Sequence, residues 1–211
     1  MRLGVMGGTF DPIHIGHLVT AEEARCQFTL DRVMFMPSAR PPHKTGIPHS
    51  PASDRLKMVE RAIYGNPNLE VSDIEHSRGG LSYTIDTLRE LRREMGPDTE
   101  LFFITGADAI LEILTWKDPE ELLSEARFIA ATRPGFELEK LRDALPRHNS
   151  EGADALESVY SMEIPALAIS STDIRQRAAD GRPFRYLVRD SVWEYIIANG
   201  LYMKGERDGS G

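Results

Sequence analysis

Gly7-Gly8-Thr9-Phe10-Asp11-Pro12-Ile13-His14-Ile15-Gly16-His17 is the stretch on which the fold turns. Before it, Leu3 to Met6 is a short apolar run, the pattern of a buried strand. After it, Leu18, Ala21, Ala24 and Phe28 recur at helical spacing, so a helix that begins near Gly16 runs to Phe28. Strand, glycine turn and helix in immediate succession open an α/β unit. The peptide N–H groups of such a turn and helix start lack helical partners and carry partial positive charge, which suits a phosphate. Gly7 and Gly8 have no side chain to keep a ligand off the backbone. His14 and His17, three apart, project to the same side of the helix start. The same pair could hold a metal ion, with Asp11 as a third ligand. The glycines favour phosphate. Neither the G-x-G-x-x-G dinucleotide fingerprint nor a P-loop G-K-[ST] is present.

Working outward, strands and helices alternate, which predicts a Rossmann-like open parallel sheet with helices on both faces. Strands are expected over Arg32 to Met36, Leu69 to Ile74, Glu100 to Thr105, Arg127 to Thr132 and Ser158 to Ile164. Helices are expected over Ala52 to Tyr64, Tyr83 to Met95, Pro119 to Ala126, Leu138 to Leu145, Thr172 to Ala179 and Ser191 to Ala198. The stretch 37–51, rich in Pro and His, is an irregular connection of the length that often carries function, and 146–157 reads as a polar loop. Residues 1–203 form one expected domain, and 204–211 an expected disordered tail.

The chain has 211 residues, enough to bury a full core. Its net charge of −8 argues against binding long nucleic acid, which needs a basic footprint. A small anion is not excluded, because a few local cations dominate the field inside a cleft. One cysteine, Cys26, excludes an intramolecular disulfide and a cysteine-based metal site, and reads as a small buried hydrophobe in the first helix. No apolar run approaches the ~20 residues that span a bilayer, and the start lacks the pattern of a signal peptide. A cytoplasmic protein, not associated with a membrane, is expected.

A second anion site is suggested by Ser170-Ser171-Thr172-Asp173-Ile174-Arg175. Ser170 with Asp173 fits an S-x-x-D helix cap, and Arg175 one turn on can reach the end where the amides point. Alone, these residues would be read as a capped helix and nothing more.

Taken together, the two segments carry a resemblance. His14-Ile15-Gly16-His17 resembles the H-x-G-H signature of the nucleotidyltransferase superfamily, and GGTFDPIHIGHL (7–18) is similar to the opening of the bacterial nicotinate-mononucleotide adenylyltransferases. Ser170 to Arg175 resembles the second signature of the same enzymes. The resemblance covers essentially the whole chain. It implies transfer of AMP from ATP to nicotinate mononucleotide by direct in-line displacement, giving the dinucleotide and pyrophosphate. It also implies Mg²⁺ held mainly by the ATP phosphates, with no protein metal site.

By the same resemblance His14, His17 and Arg175 would be catalytic. Gly7, Gly8, Thr9, Phe10, Gly106, Asp108, Arg133, Ser171 and Thr172 would join His17 and Arg175 around ATP. Lys44, Tyr83, Thr84 and Trp116 would meet the mononucleotide. The residues themselves leave alternatives open. Tyr83-Thr84 opens a helix whose amides suit a carboxylate, though Ser82 or Thr84 could simply cap it. Trp116 could stack on a pyridine ring or plug the core. Asp108 follows a strand end, where ligands bind in open parallel sheets, yet could be a cap. Lys44, Arg133 and the weaker candidate His43 could be surface charges.

Nicotinamide-mononucleotide and pantetheine-phosphate adenylyltransferases are the nearest rival enzymes, with a glycerol-phosphate enzyme or a class I synthetase fragment behind them. An ATP-binding regulator without activity is the rival outside enzymes. Oligomeric state is open, a homo-oligomer included.

Overall fold

The structure, a computed structural model, describes residues 1–40, 49–132, 158–165 and 167–203. Strands buried on both faces read as unbroken apolar runs, and the central runs RVMFM, ELFFIT and RFIAAT become such strands. The six strands are β1 (Arg2–Gly8), β2 (Arg32–Pro37), β3 (Leu69–Val71), β4 (Glu100–Gly106), β5 (Arg127–Thr132) and β6 (Val159–Glu163). They form one sheet in the order β3-β2-β1-β4-β5-β6. Every pairing is parallel, with Val5 opposite Met34 on one side and Phe103 on the other. The chain winds outward from β1 in one direction, then returns to β4 on its other side. That reversal leaves a crevice beyond the carboxyl ends of β1 and β4, where ligands bind in this architecture.

Alternate side chains feed two cores. Val33 and Phe35 of β2 and Phe102 and Ile104 of β4 pack with Met58 and Val59 of α2 (Ala52–Ile63) and with Ala21 and Ala24 of α1 (Ile15–Gln27). Ile174 of α7 (Ser171–Ala179) and Val192 and Ile196 of α8 (Asp190–Ala198) complete that layer. Met34, Met36, Leu101 and Phe103 point the other way, into the second core. There they meet Ile74 of α3 (Ile74–Arg78), Ile85, Leu88 and Leu91 of α4 (Thr84–Met95), Ile110 of α5 (Ala107–Leu111) and Leu122 of α6 (Pro119–Glu125).

Several expectations shift. The first helix begins at Ile15, one residue before Gly16, because the His14 carbonyl already accepts from His17 N at 3.0 Å. The third strand ends at Val71, and Ile74 starts α3 instead of closing the strand. The stretch 107–115, which carried no helical period, holds α5 and a short 3₁₀ turn. Cys26 is exposed, not buried. The buried stripe of α1 runs through Ala21 and Ala24, and Cys26 lies off it. The helix expected over Leu138 to Leu145, the loop 146–157 and the tail 204–211 lie outside the described residues. Among the described residues no helix is long and apolar enough to cross a membrane.

Candidate active site

β1 runs through both glycines, so Gly7 and Gly8 belong to the strand and the turn comes after them. The left-handed position is Phe10, at φ 49°. The glycines serve packing as well as approach. A Cβ on Gly7 would stand 2.8 Å from Phe103 Cζ, and one on Gly8 would stand 3.0 Å from Phe10 Cζ. Backbone and aromatic ring are thus pressed together under the crevice floor.

The chain then enters α1 with His14 as the flanking residue, held by no side-chain cap of the ordinary kind. His17 Nδ1 accepts from the His14 N–H at 3.2 Å. With Nδ1 committed as an acceptor, the neutral His17 ring carries its proton on Nε2, a donor. The two imidazoles stack, centroids 3.7 Å apart and planes 22° from parallel. Phe10 meets His17 edge-on at 5.0 Å. His14 is buried and its Nδ1 has no partner among the described residues. Burial lowers its pKa from 6.5 to about 4, so the ring is neutral at neutral pH.

The Ser-Ser-Thr helix tip converges on this turn. Ser170 Oγ accepts from Asp173 N at 3.1 Å, the expected cap. Ser171 Oγ donates to the Pro12 carbonyl at 2.8 Å, and Arg175 Nη1 donates to the Asp11 carbonyl at 2.7 Å. The amide ends of α1 and α7 therefore border one cleft of about 770 Å³. It is lined by Gly7, Gly8, Thr9, Phe10, His14, His17, Gly106, Asp108, Ser171, Thr172 and Arg175 among others.

A second cavity of about 250 Å³ adjoins the first and shares Gly7, Gly8, Thr9 and Thr105 with it. Tyr83, Thr84 and Trp116 line it. Tyr83, which flanks the start of α4, makes no side-chain cap there, and Ser82 Oγ accepts from Arg40 N instead. Trp116 packs edge-on against Phe103 at 6.1 Å and also borders the cavity. Lys117 Nζ pairs with both carboxylate oxygens of Asp86, at 2.8 and 2.9 Å. Lys44, His43 and Arg133 lie outside the described residues.

Residues not singled out from sequence, Arg55, Glu75, Tyr202 and His49 among them, also shape this region. Arg55 is 2% exposed and its guanidinium donates to the carbonyls of Thr9, Ser38, Ala39 and Ser50. It staples the connection after β2 to the turn after β1. Asp11, weighed as a metal ligand, is instead occupied within the protein. Tyr202 Oη donates to its Oδ1 at 2.6 Å, and Ser50 N and His49 Nδ1 meet its Oδ2 at 3.3 and 3.2 Å. Among the described residues no group of three or more His, Cys, Asp or Glu is placed to hold a metal ion. Glu75 borders the smaller cavity, buried, with Oε1 accepting from Thr87 Oγ1 and Oε2 without a partner among the described residues. A charge on an amphipathic helix reads as solvated in sequence, which hides Arg55. The partners of Asp11 come from 38 to 191 residues away and leave no local signal.

A parallel sheet in this order, with two helix starts and a histidine pair closing on one cleft, defines a nucleotidyltransferase. The cytidylyltransferase-like family model matches residues 5–177. A relative from Moorella thermoacetica, described as a probable nicotinate-nucleotide adenylyltransferase, is 56% identical over 95% of this chain and 91% of its own. A Thermoanaerobacter relative of the same description is 50% identical over 99% of this chain and 98% of its own. The chain belongs to the nicotinate-nucleotide adenylyltransferase family. Its fold is also that of the Plasmodium falciparum nicotinic acid mononucleotide adenylyltransferase solved with NaAD. That match has a TM-score of 0.76 and 21% identity, and covers 95% of this chain and 97% of the other.

Proposed function

We propose that this chain transfers the AMP part of ATP to nicotinate mononucleotide, releasing pyrophosphate, with the reaction run in the cytoplasm. The observation that carries the proposal is the pair of bonds from Ser171 to Pro12 and from Arg175 to Asp11. They draw both helix tips to one cleft, which has room for a nucleotide triphosphate. ATP fills the larger cleft and the mononucleotide the smaller cavity, with Trp116 against its ring and the α4 amides toward its carboxylate. The cavities join at Gly7-Gly8-Thr9, so the two phosphates meet over the bare backbone.

The acceptor is a phosphate monoester, largely dianionic near neutral pH, and needs no strong base. One of its oxygens attacks the α-phosphorus as the bond to the pyrophosphate oxygen breaks. The obstacle is bringing two anions together and supporting charge on the leaving group, a task of positioning and electrostatics. His17 donates from Nε2 to the α-phosphate, and His14 stacks beside it. Arg175 and the amides of Ser171 and Thr172 hold the outer phosphates, and Asp108 takes a ribose hydroxyl. ATP enters as its Mg²⁺ complex, in which the ion spreads phosphate charge; the phosphate oxygens hold it. The net charge of −8 keeps long nucleic acid out of this reading.

The test is a side-by-side assay of pyrophosphate release from ATP and Mg²⁺ with nicotinate mononucleotide, nicotinamide mononucleotide or phosphopantetheine. Fastest turnover with nicotinate mononucleotide is expected. No dinucleotide from either pyridine substrate would remove the proposal.

A further inference from the structure

One ion pair joins the two segments that frame the smaller cavity. Lys117 Nζ donates to both carboxylate oxygens of Asp86, at 2.8 and 2.9 Å, and stands 5.0 Å from the centre of the Tyr83 ring. Lys117 follows Trp116 directly, and Asp86 lies in the first turn of α4, just past Thr84. Lys117, Tyr83, Thr84 and Trp116 all line the cavity. The side chains of Lys117 and Asp86 are 40% and 33% exposed, so the ammonium is open to solvent. A pair this open adds little to stability. Its place at the cavity calls for another reason.

An acid that enters this cavity meets a charge problem. The α4 amides attract a carboxylate, yet Asp86 sits in the same first turn and draws on the same positive end of the helix. Its anion also repels a second one. Glu75, another carboxyl-bearing side chain, lines the cavity as well. Arg78 is committed to Glu90 and to Thr87 Oγ1. Among the described residues that line the cavity, Lys117 supplies the positive charge. A carboxamide carries no charge and is indifferent to this balance. We infer that Lys117 is a specificity-determining residue: by holding Asp86 it cancels the repulsion that would bar an acid from the start of α4, and so tips the cavity toward a ring bearing a carboxylate over one bearing a carboxamide. This rests on the nicotinate mononucleotide reading. A purely mechanical tether on Trp116 would instead serve both rings alike.

The experiment compares nicotinate and nicotinamide mononucleotide, with ATP and Mg²⁺, in the full-length wild type, Lys117→Met, Asp86→Asn and the double variant. The amide is followed as a substrate, or as a competitive inhibitor where its turnover is too slow to read. Lys117→Met leaves Asp86 uncompensated, and the preference for acid over amide falls roughly five- to tenfold, the scale of one unit charge at a partly exposed site. The double variant carries neither charge and recovers most of that preference. Asp86→Asn alone frees the ammonium and raises it. An equal loss toward both ligands in Lys117→Met marks a mechanical tether and overturns the inference, as does a double variant no better than Lys117→Met. Should Lys117→Met fail to fold, Asp86→Asn decides: a higher preference for the acid supports the inference, and an unchanged or lower one overturns it. A wild type that prefers the amide, or makes no dinucleotide from either, overturns the nicotinate reading itself, a result distinct from these.

Discussion

His17 offers the sharpest separation of structure from catalysis, because its two nitrogens have different tasks. Nδ1 accepts the His14 N–H at 3.2 Å and helps to start α1. Nε2 is the donor assigned to the α-phosphate. His17→Ala removes both. It gives up one partly buried hydrogen bond, about 1 kcal/mol, and an edge-on contact with Phe10 at 5.0 Å, again of order 1 kcal/mol. A stability loss of about 1–3 kcal/mol follows. His17→Asn is the cleaner change. The Asn Oδ1 stands near the Nδ1 position and can keep the His14 bond, while nothing replaces Nε2. Removing one donor to transition-state charge costs roughly 10²–10³ in turnover. His17→Asn is therefore expected to melt within about 1 kcal/mol of wild type and to turn over roughly 10²–10³ more slowly. Urea unfolding reports the first quantity and a coupled pyrophosphate assay at saturating substrates the second. A His17→Asn enzyme whose kcat stays within threefold of wild type would falsify the assignment, whatever His17→Ala does.

The other expectations concern the supports of the cleft. Arg55→Met should destabilise by about 3–5 kcal/mol, since it strands four carbonyls around a buried site, and Arg55→Lys should recover little because an ammonium lacks the planar fork; unfolding midpoints of both variants check this. Gly7→Ala places a methyl 2.8 Å from Phe103 Cζ and should cost about 1–3 kcal/mol by overpacking. Because Phe103 in turn abuts Trp116, the KM for the mononucleotide should rise more than that for ATP, and equal shifts would refute that coupling. His14 gives a pH signature. Its folded pKa of about 4 lies below its ordinary 6.5, so between those values the unfolded chain binds more protons. Its contribution is whole above pH 6.5 and is lost as pH falls toward 4. At 1.36 kcal/mol per pH unit the interval amounts to at most about 3 kcal/mol. Unfolding free energies at pH 7 and pH 5 should diverge less in His14→Gln than in wild type.

How far such features can be read in advance follows from where their causes lie. The central strands are buried on both faces, so their sequences are continuous apolar runs and their ends fall within a residue or two of expectation. α4 shows its stripe of Ile85, Leu88 and Leu91 in the sequence because the opposite face is solvated. Short helices such as Ile74–Arg78 are too brief to repeat a period, so in sequence the start of α3 looks like the end of a strand. Both anion-binding segments are local: a glycine turn and a capped helix tip show themselves within a few residues. Arg55, Asp11, Tyr202 and His49 are different. Each acts through partners brought together by the sheet order, and Tyr202 sits 191 residues from Asp11. Cys26 shows the opposite failure, where the residue type suggested burial and one step around the helix decided exposure.

The electrostatics of the cleft follow from this division between local and assembled parts. A chain of net charge −8 must hold two anionic substrates against each other. Among the described residues its donors in the larger cleft include helix-start amides, hydroxyls and the His14 ring, which burial keeps neutral. Two imidazolium rings with centroids 3.7 Å apart would repel each other, and burial keeps His14 neutral instead. Neutral donors need little desolvation when the cleft is empty, whereas buried cations would cost several kcal/mol each. Among the described residues the one strongly buried cation, Arg55, is set behind the cleft wall and donates to carbonyls. Among the described residues, positive charge at the cleft comes from Arg175.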